Sequence, residues 1–411
     1  MNSRRVVIVD YIYDYPNKDD RNIGEIKKHK DQIWDHRIAE LEHNYTQKLE
    51  GASSFDGLFY SSIEQQFKLD AIPNEVSKFL LSSERITLSL FQDLIDRGSQ
   101  GAKTDILLSV GTAQTDILSK CALMSQEGPD LANAIDLIDP LGYIKLLNSN
   151  NPMAVESITE ASTSGMGALY NAYLKIKKGE FDVAISGGAS GVTFPIPYEL
   201  SHFGIGSERS IQPFEAEAAG HYFSEGGAAF LLKERQQAIA DGDSILAEIR
   251  DISSGTMGNI VVNRNAVKKL IFKSFQNANI SEDSNIFLEL YGRGNEIDDT
   301  AEISCLKNVK KKYPNTKGGF LKEDVHYIVG YYGMIGFCRL LDSKKSHTPL
   351  EGSVIHQPNK FIGTIDNDLW ATNVNDYDVV SILSYSMHGN CYNMLLDLDY
   401  EQVLDEVGDG S

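Results

Sequence analysis

Between residues 157 and 188 the chain reads Ser157-Ile-Thr-Glu-Ala-Ser-Thr-Ser-Gly-Met-Gly-Ala-Leu-Tyr-Asn-Ala-Tyr-Leu-Lys-Ile-Lys-Lys-Gly-Glu-Phe-Asp-Val-Ala-Ile-Ser-Gly-Gly. The small residues from Ser162 to Gly165 permit an abrupt turn out of a short strand. Beyond them Met166, Leu169, Tyr170, Tyr173 and Leu174 recur at three- and four-residue spacing, which is one apolar face of a helix. Gly179 supplies a helix stop, and Val183 to Ser186 read as the next strand, closed by Gly187-Gly188. Such a strand–turn–helix presents Ser162 at a helix N-terminus, where backbone N–H groups and the helix dipole favour negative charge. On local sequence alone Ser162 reads equally well as an N-cap.

Other apolar runs extend the pattern. Ile106-Leu-Leu-Ser-Val, Ala228-Ala-Phe-Leu-Leu and Ile286-Phe-Leu-Glu-Leu have strand character and alternate with amphipathic stretches, which predicts an α/β fold. Val6 to Val9 predict a buried strand, whereas the highly charged region from about Tyr11 to Asp56 predicts helix and loop over a surface. Asp241-Gly242-Asp243 marks a turn, followed by a strand-like run from Ile245 to Ile249. A division into two halves, 1–248 and 249–411, is placed there.

Composition limits the functions open to such a fold. A formal net charge of −20 argues against a nucleic-acid partner, since phosphate binding draws on clustered Lys and Arg. No apolar stretch approaches the ~20 residues of a membrane span, and the four-residue apolar run after Arg4-Arg5 is too short for a signal peptide. A cytoplasmic protein without membrane association is expected. Cys121, Cys305, Cys338 and Cys391 show no paired spacing, so neither disulfides nor a metal site is expected.

The 157–188 segment resembles the nucleophile elbow of the β-ketoacyl-acyl carrier protein synthases, a thiolase-fold family. Ala161, Ser164, Gly165, Ala168, Ala172, Gly179, Glu180, Asp182, Ala184, Gly187 and Gly188 match its pattern, while Ser162 stands where the family has its nucleophilic cysteine. Pro213-Phe-Glu-Ala-Glu-Ala-Ala-Gly-His-Tyr-Phe-Ser-Glu-Gly-Gly-Ala resembles a second family block. The resemblance runs from about Thr104 to Leu396 and implies a duplicated αβαβα layered α/β fold of thiolase type.

It also implies a Cys-His-His triad, and none of the three positions is filled. Tyr291-Gly-Arg-Gly-Asn resembles the block that carries the first histidine. Gly292, Gly294, Asp299 and Glu302 keep its frame, with Tyr291 at the histidine position. The second histidine position falls on Gly330 or on Tyr331, according to which glycine is aligned. The family's glycine-rich gating loop is reduced to Ser384, Met387, His388 and Gly389. A cysteine at a helix N-terminus ionises near neutral pH, whereas a serine needs an adjacent base. Losing one oxyanion donor typically costs about 2.7–4 kcal/mol of transition-state stabilisation.

A chain that keeps the elbow and lacks the triad resembles the chain-length factor of type II polyketide synthases. That resemblance implies a heterodimer with an active ketosynthase subunit and no cofactor. Segment 134–147, with Leu137, Ile138, Leu141 and Tyr143, would line or close the tunnel that holds the growing polyketide chain, or serve as plain core or interface packing. Acyl carrier proteins are acidic, so docking is expected mainly on the ketosynthase partner. Two other readings stand beside it. One is a thiolase-fold acyltransferase with Ser162 as nucleophile and His388, His326 or His221 as base; the other is a non-enzymatic scaffold or homodimer.

Overall fold

The computed structural model describes residues 4–15, 23–25, 59–61, 80–98, 104–113, 141–191, 213–216, 218, 220, 223–258, 261–321, 325–346, 355, 357–360, 362 and 367–398. In chain order the principal elements are β1 (Val6–Asp14), β2 (Ile23–Glu25), β3 (Phe59–Ser61), α1 (Ser82–Gly98), β4 (Ile106–Gly111), β5 (Met153–Ile158), α2 (Ser164–Lys178), β6 (Val183–Ser190), β7 (Phe223–Ser224) and β8 (Gly226–Glu234). There follow α3 (Arg235–Asp241), β9 (Ala247–Thr256), α4 (Arg264–Asn277), β10 (Ile286–Glu289), α5 (Glu296–Lys312), β11 (Thr316–Gly319), α6 (Tyr332–Ser346), β12 (Val379–Tyr385) and β13 (Asn390–Asp397).

Ten strands form one sheet in the order β11-β10-β12-β13-β9-β1-β8-β6-β4-β5, and β2, β3 and β7 form a small second sheet. The large sheet contains one five-strand pattern twice. In β5-β4-β6-β8-β1 the first three strands are parallel, and each later strand runs antiparallel to its neighbour. In β11-β10-β12-β13-β9 the same arrangement recurs. Val6 to Ile8 of β1 pair with Ala247 to Ile249 of β9 and join the two sets. The fold is a duplicated α/β architecture, and α6 stands in the second repeat where α2 stands in the first.

Side chains along the strands alternate between two cores, as the pleat requires. Leu107, Ala184, Phe230 and Leu232 face the larger core, which also buries Met166, Leu169 and Tyr173 of α2 and Met334, Phe337 and Leu341 of α6. Ile106, Leu108, Val110, Ile185 and Leu231 face the other side, against Ile86, Leu90, Phe91 and Leu94 of α1. The elbow helix is therefore held on the sheet face that the two repeats share.

The first strand is longer than its apolar run predicts. β1 continues through Tyr11 to Asp14, in the region expected to be helix and loop, and pairs with β8 along its whole length. A bulge between Ile8 and Asp10 keeps Tyr11 and Tyr13 on the larger core while Val9 and Ile12 meet the other. Charges at Asp10 and Asp14 mask this two-sided pattern in the sequence. Local capping explains α5 well: Asn295 accepts the Asp298 N–H at 2.9 Å, acids occupy the first turn, and Lys310, Lys311 and Lys312 occupy the last.

Candidate functional site

The elbow is built by β5 and α2. Strand β5 ends at Ile158, a single 3-10 turn spans Ala161–Thr163, and α2 begins at Ser164. The sharpest bend falls on Ala161, whose φ of 49° is left-handed, a conformation that costs a non-glycine residue about 1–3 kcal/mol. Ser164 holds the bend in place. Its Oγ accepts the Glu160 N–H at 2.9 Å and lies 2.8 Å from the Ala161 carbonyl and 3.1 Å from the Thr112 carbonyl. Glu156 of β5 binds the elements around it: Ser109 of β4 at 2.8 Å, Asn171 at 2.6 Å and Lys175 at 2.7 Å, the last two on α2.

Ser162 is not the N-cap that local sequence allowed. Thr163 holds that position, and its hydroxyl donates back to the Glu160 carbonyl at 3.0 Å rather than capping the helix. Ser162 is buried, and its Oγ makes no hydrogen bond with the described residues. His326 is buried and His388 exposed, and neither bonds to it; His221 lies outside the described residues.

The corresponding turn of the second repeat lies directly against this one. The Gly165 N–H donates to the Gly330 carbonyl at 3.0 Å. A side chain at Gly330 would point at the elbow, with its Cβ 3.3 Å from the Ala161 carbonyl and 3.8 Å from the Ser164 Cβ. Tyr331 also packs on the elbow: its ring lies against Gly165 and its hydroxyl donates to the Gly111 carbonyl at the end of β4. Burial pushes the Tyr331 phenol well above its usual range, so it stays a neutral donor.

Tyr291 sits among other tyrosines. Its hydroxyl lies 3.1 Å from that of Tyr327, and its ring packs edge-on against Tyr327 and Tyr332 and tilted against Tyr385, with centroids 4.6–6.4 Å away. Two buried carboxylates fix its loop. Glu302 accepts the Tyr291 N–H at 2.7 Å, the Gly292 N–H at 3.1 Å and the Tyr385 hydroxyl. Asp299 accepts the Gly294 N–H at 3.1 Å and, from the distant Pro213-Phe214 block, the Phe214 N–H at 2.7 Å. Burial pushes Glu302 up to about 7, against the pull of those three donors.

The loop that resembles the family's gating loop is a tight connection between β12 and β13. The Ser386 N–H donates to the Asn390 carbonyl at 2.8 Å and the Gly389 N–H to the Ser386 carbonyl at 3.1 Å. Gly389 has a φ of 89°, which explains a glycine there. Ser384 is buried, Met387 half-buried against the larger core, and His388 exposed. Leu137 and Ile138 lie outside the described residues. Leu141 packs at the edge of the α1 core, and Tyr143 is buried in it, close enough to Tyr331 to raise its pKa.

Residues 153–238, which include the elbow, match the family described as Beta-ketoacyl synthase, N-terminal domain. The ketosynthase domain OzmH KS7 of Streptomyces albus JA3453 superposes with a TM-score of 0.74 at 17% identity, covering 96% of this chain and 75% of that one. The chain has the ketosynthase fold. The ishigamide ketosynthase/chain length factor superposes with a TM-score of 0.70 at 16% identity, over 96% of this chain and 99% of that one. In sequence, the polyketide synthase PksN of Bacillus subtilis (strain 168) is 24% identical over 336 residues, 76% of this chain but only 6% of PksN. This chain thus spans a small part of the curated relatives it matches.

Within this ketosynthase fold, sequence reasoning located the Tyr291 loop but missed the residues that enclose it. Tyr327, Tyr332 and Tyr385 are fully buried around Tyr291, and Arg293 stacks on the Tyr385 ring at 4.6 Å. The available signal was a run of aromatic residues beside the expected catalytic positions, Tyr327, Tyr331 and Tyr332 above all. Among the described residues no helix is long and apolar enough to cross a membrane, and no cluster of His, Cys, Asp and Glu has the make-up of a metal site.

Proposed function

We propose that this chain is a non-catalytic ketosynthase-fold subunit, a chain-length factor that pairs with an active ketosynthase in a type II polyketide synthase. The observation that carries the reading is the state of the three triad positions. Ser162 has no base among the described residues, and a serine hydroxyl without one is a poor nucleophile. Tyr291 and Tyr331 engage their hydroxyls with Tyr327 and the Gly111 carbonyl. Gly330, the residue that faces the elbow, has no side chain with which to stabilise an oxyanion.

Pairing is supported by the sheet edge. Strand β5 has no neighbour on its outer side among the described residues, its side chains are only partly buried, and Val155 is 39% exposed. An open edge invites another strand, and this one leads straight into the elbow, so a partner seated there would lie beside the acyl site. Similarity to the ishigamide ketosynthase/chain length factor over nearly the whole length of both chains supports the same reading. The net charge of −20 favours docking of an acidic carrier protein on the partner rather than here, and a cytoplasmic location belongs to the same proposal. So does the division into two halves, 1–248 and 249–411, a boundary that falls within the strand Ala247–Thr256.

Gel filtration of the chain with a candidate Cys-His-His ketosynthase tests the assignment. A one-to-one complex that elongates malonyl units, while the chain alone does not, is the expected result. Elongation by the chain alone would overturn it. An acyl adduct on Ser162 after incubation with an acyl donor, read by mass spectrometry, would favour the acyltransferase instead.

A further inference from the structure

Helix α4 carries Arg264, Lys268, Lys269 and Lys273 and no acidic residue, and the last turns of α5 add Lys307, Lys310, Lys311 and Lys312. The two helices lie side by side. Cys305 Sγ of α5 donates to the Arg264 carbonyl at 3.1 Å, and Lys312 reaches over the Phe272 ring, 5.8 Å from its centroid. Arg264, Lys269, Lys273, Lys311 and Lys312 are exposed. Nearby acids answer few of these charges. Asp368 pairs with Lys310 at 3.0 Å, Glu282 stands 3.9 Å from Lys312, and Lys273 acts on the buried Asp251 without pairing to it. Arg264, Lys268, Lys269, Lys273 and Lys311 form no ion pair among the described residues.

Local structure gives no reason for this arrangement. Arg264 opens its helix, where the dipole disfavours a cation. Arg264 and Lys268 stand four residues apart, as do Lys269 and Lys273, so like charges are neighbours along the helix. On a chain of net charge −20, cations gathered on two adjoining helices fit an anionic occupant.

The chain itself supplies one. Residues 399–411, outside the described residues, carry Asp399, Glu401, Asp405, Glu406 and Asp409 and no Lys or Arg. Their starting point lies beside α4. Strand β13 ends at Asp397, whose carboxylate sits 3.2 Å from Arg250 Nη1, and Arg250 Nη2 donates at 2.9 Å to the carbonyl of Ala278, the C-cap of α4. Fully extended, residues 399–411 reach about 40 Å, roughly twice the length of α4. Tyr400, Val403, Leu404 and Val407 interleave the acids, and the half-buried Phe272 offers an apolar contact among the lysines.

We propose that the basic face formed by α4 and the end of α5 docks the acidic segment 399–411 of the same chain. The carboxylates would pair with Lys268, Lys269, Lys273 and Lys311, the cations left without an acid. The inference stands apart from the chain-length reading and involves neither the elbow nor the Tyr291 loop.

A zero-length carbodiimide crosslink, which joins a carboxylate to a lysine amine in contact with it, tests the docking on the full chain. An equal mixture of unlabelled and nitrogen-15-labelled protein is crosslinked and digested, and mass spectrometry reads which lysines are joined to segment 399–411. Crosslinks are expected at Lys268, Lys269, Lys273, Lys311 and Lys312, within one isotopic chain. Raising the salt from about 0.1 to about 1 M shortens the screening length from about 10 to about 3 Å and should lower their yield roughly fivefold or more. Lys269→Glu combined with Lys273→Glu should lower the yield at the untouched Lys311 and Lys312 to a similar degree. Crosslinks spread evenly over other lysines, or gathered on Lys175, Lys177 and Lys178 at the end of α2, would overturn the proposal. So would the absence of any crosslink to segment 399–411, or a yield at Lys311 and Lys312 that the double variant leaves unchanged. Crosslinks joining labelled to unlabelled chains in statistical proportion would give the face to a second copy and overturn docking within one chain.

Discussion

The N–H of Gly165 donates to the carbonyl of Gly330 at 3.0 Å, so the first turn of α2 is bonded to the matching turn ahead of α6. The two repeats of the fold thus meet at their elbows, with no room between them. A Cβ on Gly165 would lie 2.4 Å from the Met334 Sδ, 2.8 Å from the Tyr331 ring and 2.9 Å from the Gly330 carbonyl. The methionine end can swing aside; the carbonyl cannot move without breaking the bond it accepts.

Gly165→Ala is therefore expected to destabilise the chain by about 1–3 kcal/mol, despite the better helix propensity of alanine. Urea denaturation of the variant should show a lower midpoint with an unchanged slope. A midpoint at or above that of the wild type would show that the two turns are not packed this tightly.

Ser162→Cys is expected to leave the isolated chain unable to condense malonyl units. A thiol at the head of α2 gains nucleophilicity, yet Tyr291 and Tyr331 still spend their hydroxyls on Tyr327 and Gly111. Product analysis by mass spectrometry should find acylation of the new thiol at most, and no elongated chain. Ser162→Ala is expected to leave the activity of the complex with an active ketosynthase unchanged.

Tyr143 is buried in the α1 core, close to Tyr331. In a reconstituted complex, Tyr143→Ala is expected to shift the products towards longer chains by opening volume beside the elbow, and Leu141→Ala to do so less. Gel filtration establishes that the dimer is intact, and chromatography of the products reads chain length. Unchanged lengths from both variants, with the complex intact, would remove this segment from the tunnel.

Glu302 gives the fold a pH dependence of definite sign. Burial raises its pKa to about 7 in the native state, against an ordinary 4.5. Below the ordinary value both folded and unfolded chains are protonated there, and the contribution to stability is complete. Between 4.5 and about 7 the folded chain holds a proton that the unfolded chain has lost, so stability falls as pH rises. Relative to Glu302→Gln, the wild type should lose about 3 kcal/mol across this interval. Urea midpoints of the two proteins from pH 5 to 8 check it, and parallel curves would refute it.

Much of this was legible in the residues themselves. Ser162, Ser164, Gly165 and Gly179 defined the elbow and its helix, because a turn, a close approach and a helix stop each demand particular small side chains. Asp299 and Glu302 were marked by their match to the family block that carries Gly292 and Gly294, and the structure bonds them to that loop. That Tyr291 and Gly330 or Tyr331 stand at the histidine positions is what the resemblance implies, and it needed no coordinates. Tertiary structure alone decided the rest. The partners of Tyr291 and Tyr331 stand 36 and 220 residues away, and the second strand-pairing face of β1 belongs to β9. That Gly330 and the Tyr331 ring both lie against the elbow depends on how α6 is packed against α2. Local sequence sets which backbone shapes are affordable, while the direction of a buried side chain is set by neighbours that only folding brings together.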